Sequence, residues 1–174
     1  VELGLIVPPV RIRDNMQVQP HEYRIKVRGN TIGQGEVYPD QYLAMDSGIA
    51  GGPIQGQKTR EPAFGLDAYW IDEGQRSAAE TMNYTVVDAS SVLATHLTEL
   101  IKTHAEELLT REETTRLIEQ LREKSPKLVE EVIGNQIKTG ELQKVLQGLL
   151  RERVPIRDME TIIETLAEWS ARTK

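Results

Sequence analysis

The sequence predicts an α+β fold: a strand-rich N-terminal part with a small βαβ insertion, followed by an all-helical C-terminal subdomain. Three observations predict it. Residues 1–87 hold ten of the thirteen glycines and the short period-two hydrophobic patterns, the marks of strands and turns. From Asp88 onward apolar residues recur at three- and four-residue spacing, the period of a helix with one buried face. Between these regimes a strand, a helix and a second strand pattern follow one another over residues 67–87, the order of a βαβ unit.

Taken along the chain, Leu3–Val7 and Val10–Arg13 are short apolar or alternating runs broken by Pro8-Pro9, and they read as strands. Arg11 and Arg13 alternate with Val10 and Ile12 and decorate one face of the second. Tyr23–Arg28 alternates apolar and basic residues, the pattern of a half-buried strand. Gly29-Asn30 reads as a turn and Thr31–Tyr38 as the returning strand. Tyr42–Met45 is a further short strand, and residues 47–60 read as a mobile Gly-rich surface loop. Asp67–Ile71, Gln75–Met82 and Tyr84–Val87 supply the strand, helix and strand of the insertion.

In the second half, Val92, Leu97, Leu100, Ile101, His104 and Leu108 line one face of a long helix. Thr110 and Glu113 form a capping-box pattern ahead of Leu117, Ile118 and Leu121. Ser125-Pro126 combines an N-cap with proline at the first helical position, and Gly134 is a stop signal. Thr139 caps the next helix, which buries Leu142, Val145, Leu146, Leu149 and Leu150. After Pro155, Asp158 caps a last helix carrying Met159, Ile162, Ile163, Leu166 and Trp169.

Composition narrows the function classes. The 174 residues suffice for one medium domain or two small ones. Net charge is −6, with 8 basic and 12 acidic residues in 1–88, 13 and 15 in 89–174. Neither half is basic, so a nucleic-acid footprint is missing from the sequence. There is no cysteine, which excludes disulfides, thiolate metal sites and cysteine nucleophiles. No apolar run approaches the roughly 20 residues that span a bilayer. The chain opens on Val1 rather than Met, so it is expected to be a piece of a longer protein.

The search for chemistry returns little. His96 and His104 stand eight residues apart, about 80° around a helix, which does not suit an i, i+4 ligand pair. His21 is elsewhere, and each histidine reads as a polar or half-buried position. The Gly-rich loop does not match G-x-x-x-x-G-K-[ST], and no G-x-S-x-G elbow is present. Glu106-Glu107, Glu112-Glu113 and Glu130-Glu131 read as solvated helix faces. Nothing assembles a nucleophile, a base and an oxyanion site, so neither enzymatic activity nor a cofactor or metal is expected. The competing reading is a small-molecule-binding or enzymatic α+β domain that uses the Gly-rich loop and His96.

The segment Glu61-Pro62-Ala63-Phe64-Gly65-Leu66-Asp67-Ala68 holds the only phenylalanine. Pro62 restricts the backbone before it, and Gly65 permits a turn after it. A large apolar side chain in a tight turn either plugs the core or offers a hydrophobic spot to a partner. The residues alone leave both open.

Seven collinear blocks carry a resemblance over nearly the whole chain. They are Pro8–Asn15, Glu61–Ala68, Tyr84–Ser90, Ser91–Leu97, Pro126–Glu131, Lys144–Arg153 and Val154–Met159. Together they resemble the FHIPEP family of type III secretion export-gate proteins, with the Pro-Ala-Phe-Gly-Leu segment closer to its flagellar than its virulence-type branch. The resemblance implies a parent with a multi-span membrane region and a cytoplasmic region of four subdomains, on the cytoplasmic side of the bacterial inner membrane. On that division residues 1–39 are part of the first α+β subdomain and 40–88 the inserted one. Residues 89–109 are a long helix returning to the first, and 110–174 are a helical subdomain; the membrane region and final subdomain lie outside this chain. It implies a nonameric ring as homo-oligomer, and as partners flagellar export chaperones with cargo, the export ATPase complex and other export-gate components. Transport would be driven by the proton motive force. It also implies a chaperone-binding dimple at Glu61, Pro62, Phe64 and Thr95, with Phe64 as apolar anchor, Glu61 as rim charge and Thr95 as a hydroxyl from the long helix. A virulence-type gate of the same architecture is the remaining alternative.

Overall fold

A computed structural model describes residues 3–173. They form two compact units, Ile12–Leu100 in one, residues 3–11 with 101–173 in the other. The architecture is α+β, with a two-stranded sheet, a four-stranded sheet and seven α-helices among the described residues.

In the first unit β1 (Glu22–Val27) and β2 (Asn30–Glu36) pair antiparallel. Val27 faces Asn30, so the turn is Arg28-Gly29, both at positive φ (49° and 81°). That is one residue earlier than the predicted Gly29-Asn30 turn, and it has the twist two-residue hairpins favour. The returning strand ends at Glu36, short of the predicted Tyr38. Tyr23 faces Gly35, and a Cβ on that glycine would stand 2.6 Å from the Tyr23 hydroxyl oxygen. The bare backbone is what lets the ring lie across the partner strand.

The second sheet contains β3 (Tyr42–Met45), β4 (Gln57–Arg60), β5 (Asp67–Ile71) and β6 (Thr85–Asp88) in the order β4-β5-β3-β6, every neighbouring pair antiparallel. β5 and β6 therefore run parallel with β3 between them, joined by a 3₁₀ turn at Glu73–Gln75 and α1 (Arg76–Thr81). The predicted βαβ element is present in its split form. β3 and β5 are covered on both faces. Leu43, Ala68 and Trp70 pack with Ala89 and Val92 on one side, and Ala44 and Ile71 with Ala79 and Tyr84 on the other.

Two predictions for this half need correction. Leu3–Val7 and Val10–Arg13 form no strand. Pro8-Pro9 removes two donors in succession, and Val10 and Ile12 of the second run are exposed instead of facing a core. Conversely, the stretch read as loop to residue 60 closes with β4, an edge strand of four polar residues that offers no hydrophobic alternation to read.

α2 (Ala89–Thr103) starts where Asp88 Oδ1 accepts from the Ser91 N–H at 2.8 Å, and buries Ala89, Val92 and His96. The helix predicted to run on through His104 ends at Thr103, and α3 (Ala105–Leu108) follows. α4 (Arg111–Lys124) is capped by the Thr110 hydroxyl, which accepts from the Glu113 N–H at 3.1 Å. The other half of the predicted box is absent. The Thr110 N–H donates to the Leu108 carbonyl, and the Glu113 carboxylate pairs with Arg116 at 3.0 Å. α5 (Pro126–Val132) begins at its proline, but the Ser125 hydroxyl donates to Glu160 at 3.2 Å instead of capping. Gly134 at φ +90° follows its end. The N-cap of α6 (Thr139–Arg151) is Lys138, one residue before the predicted Thr139, and its N–H donates to Glu141 at 3.0 Å. α7 (Met159–Arg172) is capped as predicted, Asp158 accepting from the Thr161 N–H and hydroxyl. Leu117, Ile118, Leu121, Leu142, Leu146, Leu150, Ile156 and Ile163 are buried in this unit, whereas Val145 and Trp169 are exposed against expectation. No helix among the described residues is long and apolar enough to cross a membrane.

Candidate site at the Phe64 loop

The segment singled out by its proline and glycine is the hairpin loop between β4 and β5. Arg60 and Asp67 are the last ladder pair. Beyond them the Glu61 N–H donates to the Leu66 carbonyl at 2.8 Å, and the Gly65 N–H returns to the Glu61 carbonyl at 2.9 Å. Gly65 sits at φ +72°, the left-handed conformation that lets a short hairpin loop rejoin its strand.

The loop carries its side chains in an unexpected distribution. Phe64 is 62% exposed. Of the two fates open to it, the core plug is ruled out for the described chain. Pro62 and Ala63 are half-buried beside it. Glu61, by contrast, is only 2% exposed. Its carboxylate accepts from the Ala63 N–H at 2.8 Å and from the Phe64 N–H at 2.6 Å. The carboxylate expected at the rim faces inward instead, because the turn leaves two N–H groups that need an acceptor.

Two residues that sequence reasoning did not connect feel the charge of this carboxylate. The Tyr23 hydroxyl on β1 and His96 Nδ1 on α2 are 2.6 Å apart, with the rings edge to face. Burial, and then the charge of Glu61, push the Tyr23 phenol up to about 12. Burial holds the His96 imidazole below its usual value, with the Glu61 charge opposing. Tyr23 thus keeps its proton at neutral pH beside an imidazole that is neutral. His96, read from sequence as a polar or half-buried helix position, is 5% exposed, and its Nδ1 is engaged by this contact. A Cβ on Gly33 would stand 3.2 Å from His96 Nε2 and 2.4 Å from Leu100 Cδ1, so β2 lies hard against α2. Thr95, next in sequence, is exposed on the same helix. Glu61, Pro62 and Phe64 thus share one loop, whereas Thr95 lies on α2 beside His96 in sequence.

The residues of the competing reading do not converge. The Gly-rich stretch is held elsewhere, the Gly51 N–H donating to the Met82 carbonyl at 2.9 Å and the Gly52 carbonyl accepting from the Tyr84 hydroxyl. Among the described residues no three of His, Asp and Glu are grouped to hold a metal ion. An open cleft of about 470 Å³ in the other unit is lined by Leu3, Lys102, Arg153, Pro155 and Arg157, with no acid–base pair.

Comparison with known proteins gives a consistent picture. The model of the FHIPEP family matches residues 1–174. The flagellar biosynthesis protein FlhA of Bacillus subtilis is 51% identical over 173 residues, 99% of this chain and 26% of that protein. FlhA of Escherichia coli is 48% identical over 167 residues, 96% of this chain and 24% of that protein. The chain spans about a quarter of the length of these curated relatives. Among solved structures, the Chlamydia pneumoniae CdsV and CdsO protein complex contains a chain that matches with TM-score 0.83 at 24% identity, over 98% of this chain and 52% of that one. The nonameric EscV cytosolic domain from the type III secretion system matches with TM-score 0.65 at 22% identity, over 99% and 51%. At those identities the structures speak to the fold alone.

Proposed function

Because the chain belongs to the FHIPEP family, we propose that it is part of the docking platform of a flagellar type III export gate and receives export chaperones with their cargo at the Phe64 loop. The observation that carries this reading is the exposed phenylalanine on a loop closed by its own hydrogen bonds. An aromatic anchor held ready in water is what a protein partner uses as a binding hot spot. Pro62 and Thr95 complete the surface, and an amphipathic helix or extended peptide of the chaperone covers Phe64. The relatives at 42–51% identity are named as flagellar proteins, which favours the flagellar over the virulence-type assignment.

In its parent the chain lies on the cytoplasmic side of the bacterial inner membrane, within a nonameric ring that also meets the export ATPase complex and other gate components. It acts by binding, with transport driven by the proton motive force. The named nonamer and the CdsV–CdsO complex among the fold relatives agree with the ring and with a further partner.

Titration of the purified chain with flagellar export chaperones, empty and cargo-loaded, tests the reading. Phe64→Ala is expected to weaken binding by about thirtyfold or more, the effect of losing a hot-spot side chain. The same variant should lose at most about 1–2 kcal/mol of stability, against about 3–5 for a fully buried phenylalanine, because most of the ring is already in water. Unchanged affinity in Phe64→Ala, or no binding by any such chaperone, would overturn the assignment.

A further inference from the structure

We infer that Glu61 is a positioning residue: its buried carboxylate fixes the backbone on which Phe64 is presented and does not itself meet the partner. The inference rests on the docking reading of Phe64, and it assigns Glu61 a role different from that of a contact residue.

Four hydrogen bonds of a six-residue loop pass through this one residue. Its N–H goes to Leu66, its carbonyl receives Gly65, and its two carboxylate oxygens receive Ala63 and Phe64. Bonds from backbone N–H to an ionised carboxylate are about twice as strong as neutral ones. A carboxylate that is 2% exposed cannot serve as a rim contact without leaving these donors. If it left, two N–H groups in a half-buried turn would lose their acceptor, at a cost comparable to a lost hydrogen bond each. The bond to the Phe64 N–H acts directly on the residue that carries the anchor, so it sets where the Cα–Cβ vector points. Arg60 adds a longer contact of 3.4 Å to the Gly65 carbonyl on the far side of the turn. A loop ordered in advance spares the partner the entropy of ordering it, and that saving appears as affinity.

The charge of the side chain matters more than its length. An aspartate also reaches the N–H groups two and three residues on, as in an Asx turn. A glutamine presents one acceptor and one donor, so one of the two N–H groups would face an NH₂. The two substitutions therefore separate bracing from bulk.

The experiment uses the full 174-residue chain with Glu61→Gln, Glu61→Asp and Phe64→Ala, singly and as Glu61→Gln/Phe64→Ala. Amide hydrogen exchange at Ala63 and Phe64 is read in the free protein, and affinity is read for a flagellar chaperone that binds the unsubstituted chain. Glu61→Gln should speed exchange at both amides by about tenfold or more and weaken binding by about fivefold or more. Glu61→Asp should recover most of both losses. In the Phe64→Ala background Glu61→Gln should have little further effect on affinity, because it acts through the ring. Unchanged exchange in Glu61→Gln overturns the inference, as does a full additional loss of affinity in the double variant, which would mark a direct contact. If Phe64→Ala binds normally, the docking reading fails, while fast exchange in Glu61→Gln still supports the bracing of the loop.

Discussion

The Tyr23–His96 pair should give this chain a stability plateau with an edge on each side, and the two edges can be removed separately. At the alkaline edge, Tyr23 titrates near 12 in the folded chain and near 10 when unfolded. Between those values the unfolded phenol has lost its proton and the folded one keeps it, so stability falls as pH rises through the window. Two pH units correspond to about 2.7 kcal/mol as a ceiling. Tyr23 is only partly buried, and solvent screening lowers the expected loss to about 1–1.5 kcal/mol. At the acid edge the sign reverses. His96 titrates below its unfolded value of about 6.5, so the unfolded chain takes up the proton first as pH falls. Its contribution is complete above about 6.5 and is lost below it, with a slope of at most about 1.4 kcal/mol per pH unit. Protonation would also make both ring nitrogens of His96 donors. The assay is the urea midpoint between pH 5 and 11.5 for the chain, Tyr23→Phe and His96→Gln. The stability difference to Tyr23→Phe should be flat from pH 7 to 10 and shrink above, and that to His96→Gln should shrink below pH 6.5. A Tyr23→Phe difference that stays constant from pH 9 to 11.5 would refute the reasoning, since other titrating groups cancel in the comparison.

Two further outcomes follow from packing and capping. Gly33→Ala should cost about 1–3 kcal/mol, because its Cβ would come within 2.4 Å of Leu100 Cδ1, and adding Leu100→Ala should recover part of the midpoint; a silent Gly33→Ala would show that β2 and α2 are not in hard contact. Thr110→Ala should lower stability by about 1 kcal/mol through loss of the α4 cap, read as a lower melting temperature, and no change there would mean that the Glu113 N–H finds water at no cost.

What the sequence made legible was whatever a local pattern encodes. The alternation of Tyr23–Arg28, the apolar run at Asp67–Ile71 and the stripe of Leu142, Leu146 and Leu150 all mark elements that exist. β4 was hidden because an edge strand paired on one side has no buried face to announce it. Leu3–Val7 misled because apolar composition was read as pairing. Leu3 and Leu5 are indeed buried, but the segment shows no ladder and the Leu3 carbonyl accepts from the Ile156 N–H at 2.8 Å. At the candidate site the residue types were legible and their orientations were not. Whether Phe64 turns outward, and Glu61 inward, depends on which groups lie behind the loop. The two groups that feel the Glu61 charge, Tyr23 and His96, are separated from each other by 73 residues in sequence, and no spacing rule links them.

The inversion of those two side chains has a physical logic. An apolar anchor that waits for a partner must stay in water while the site is empty, so it contributes little to holding its own loop. The loop must then be held by bonds directed at the backbone, and the strongest available acceptor for two adjacent N–H groups is an ionised carboxylate. A carboxylate used that way must itself be shielded from solvent, or water would compete for the same N–H groups. Burial of Glu61 and exposure of Phe64 are therefore one arrangement. A substitution that buried the phenylalanine would strengthen the fold and remove the site, whereas one that exposed the carboxylate would keep the ring in water and lose control of its direction.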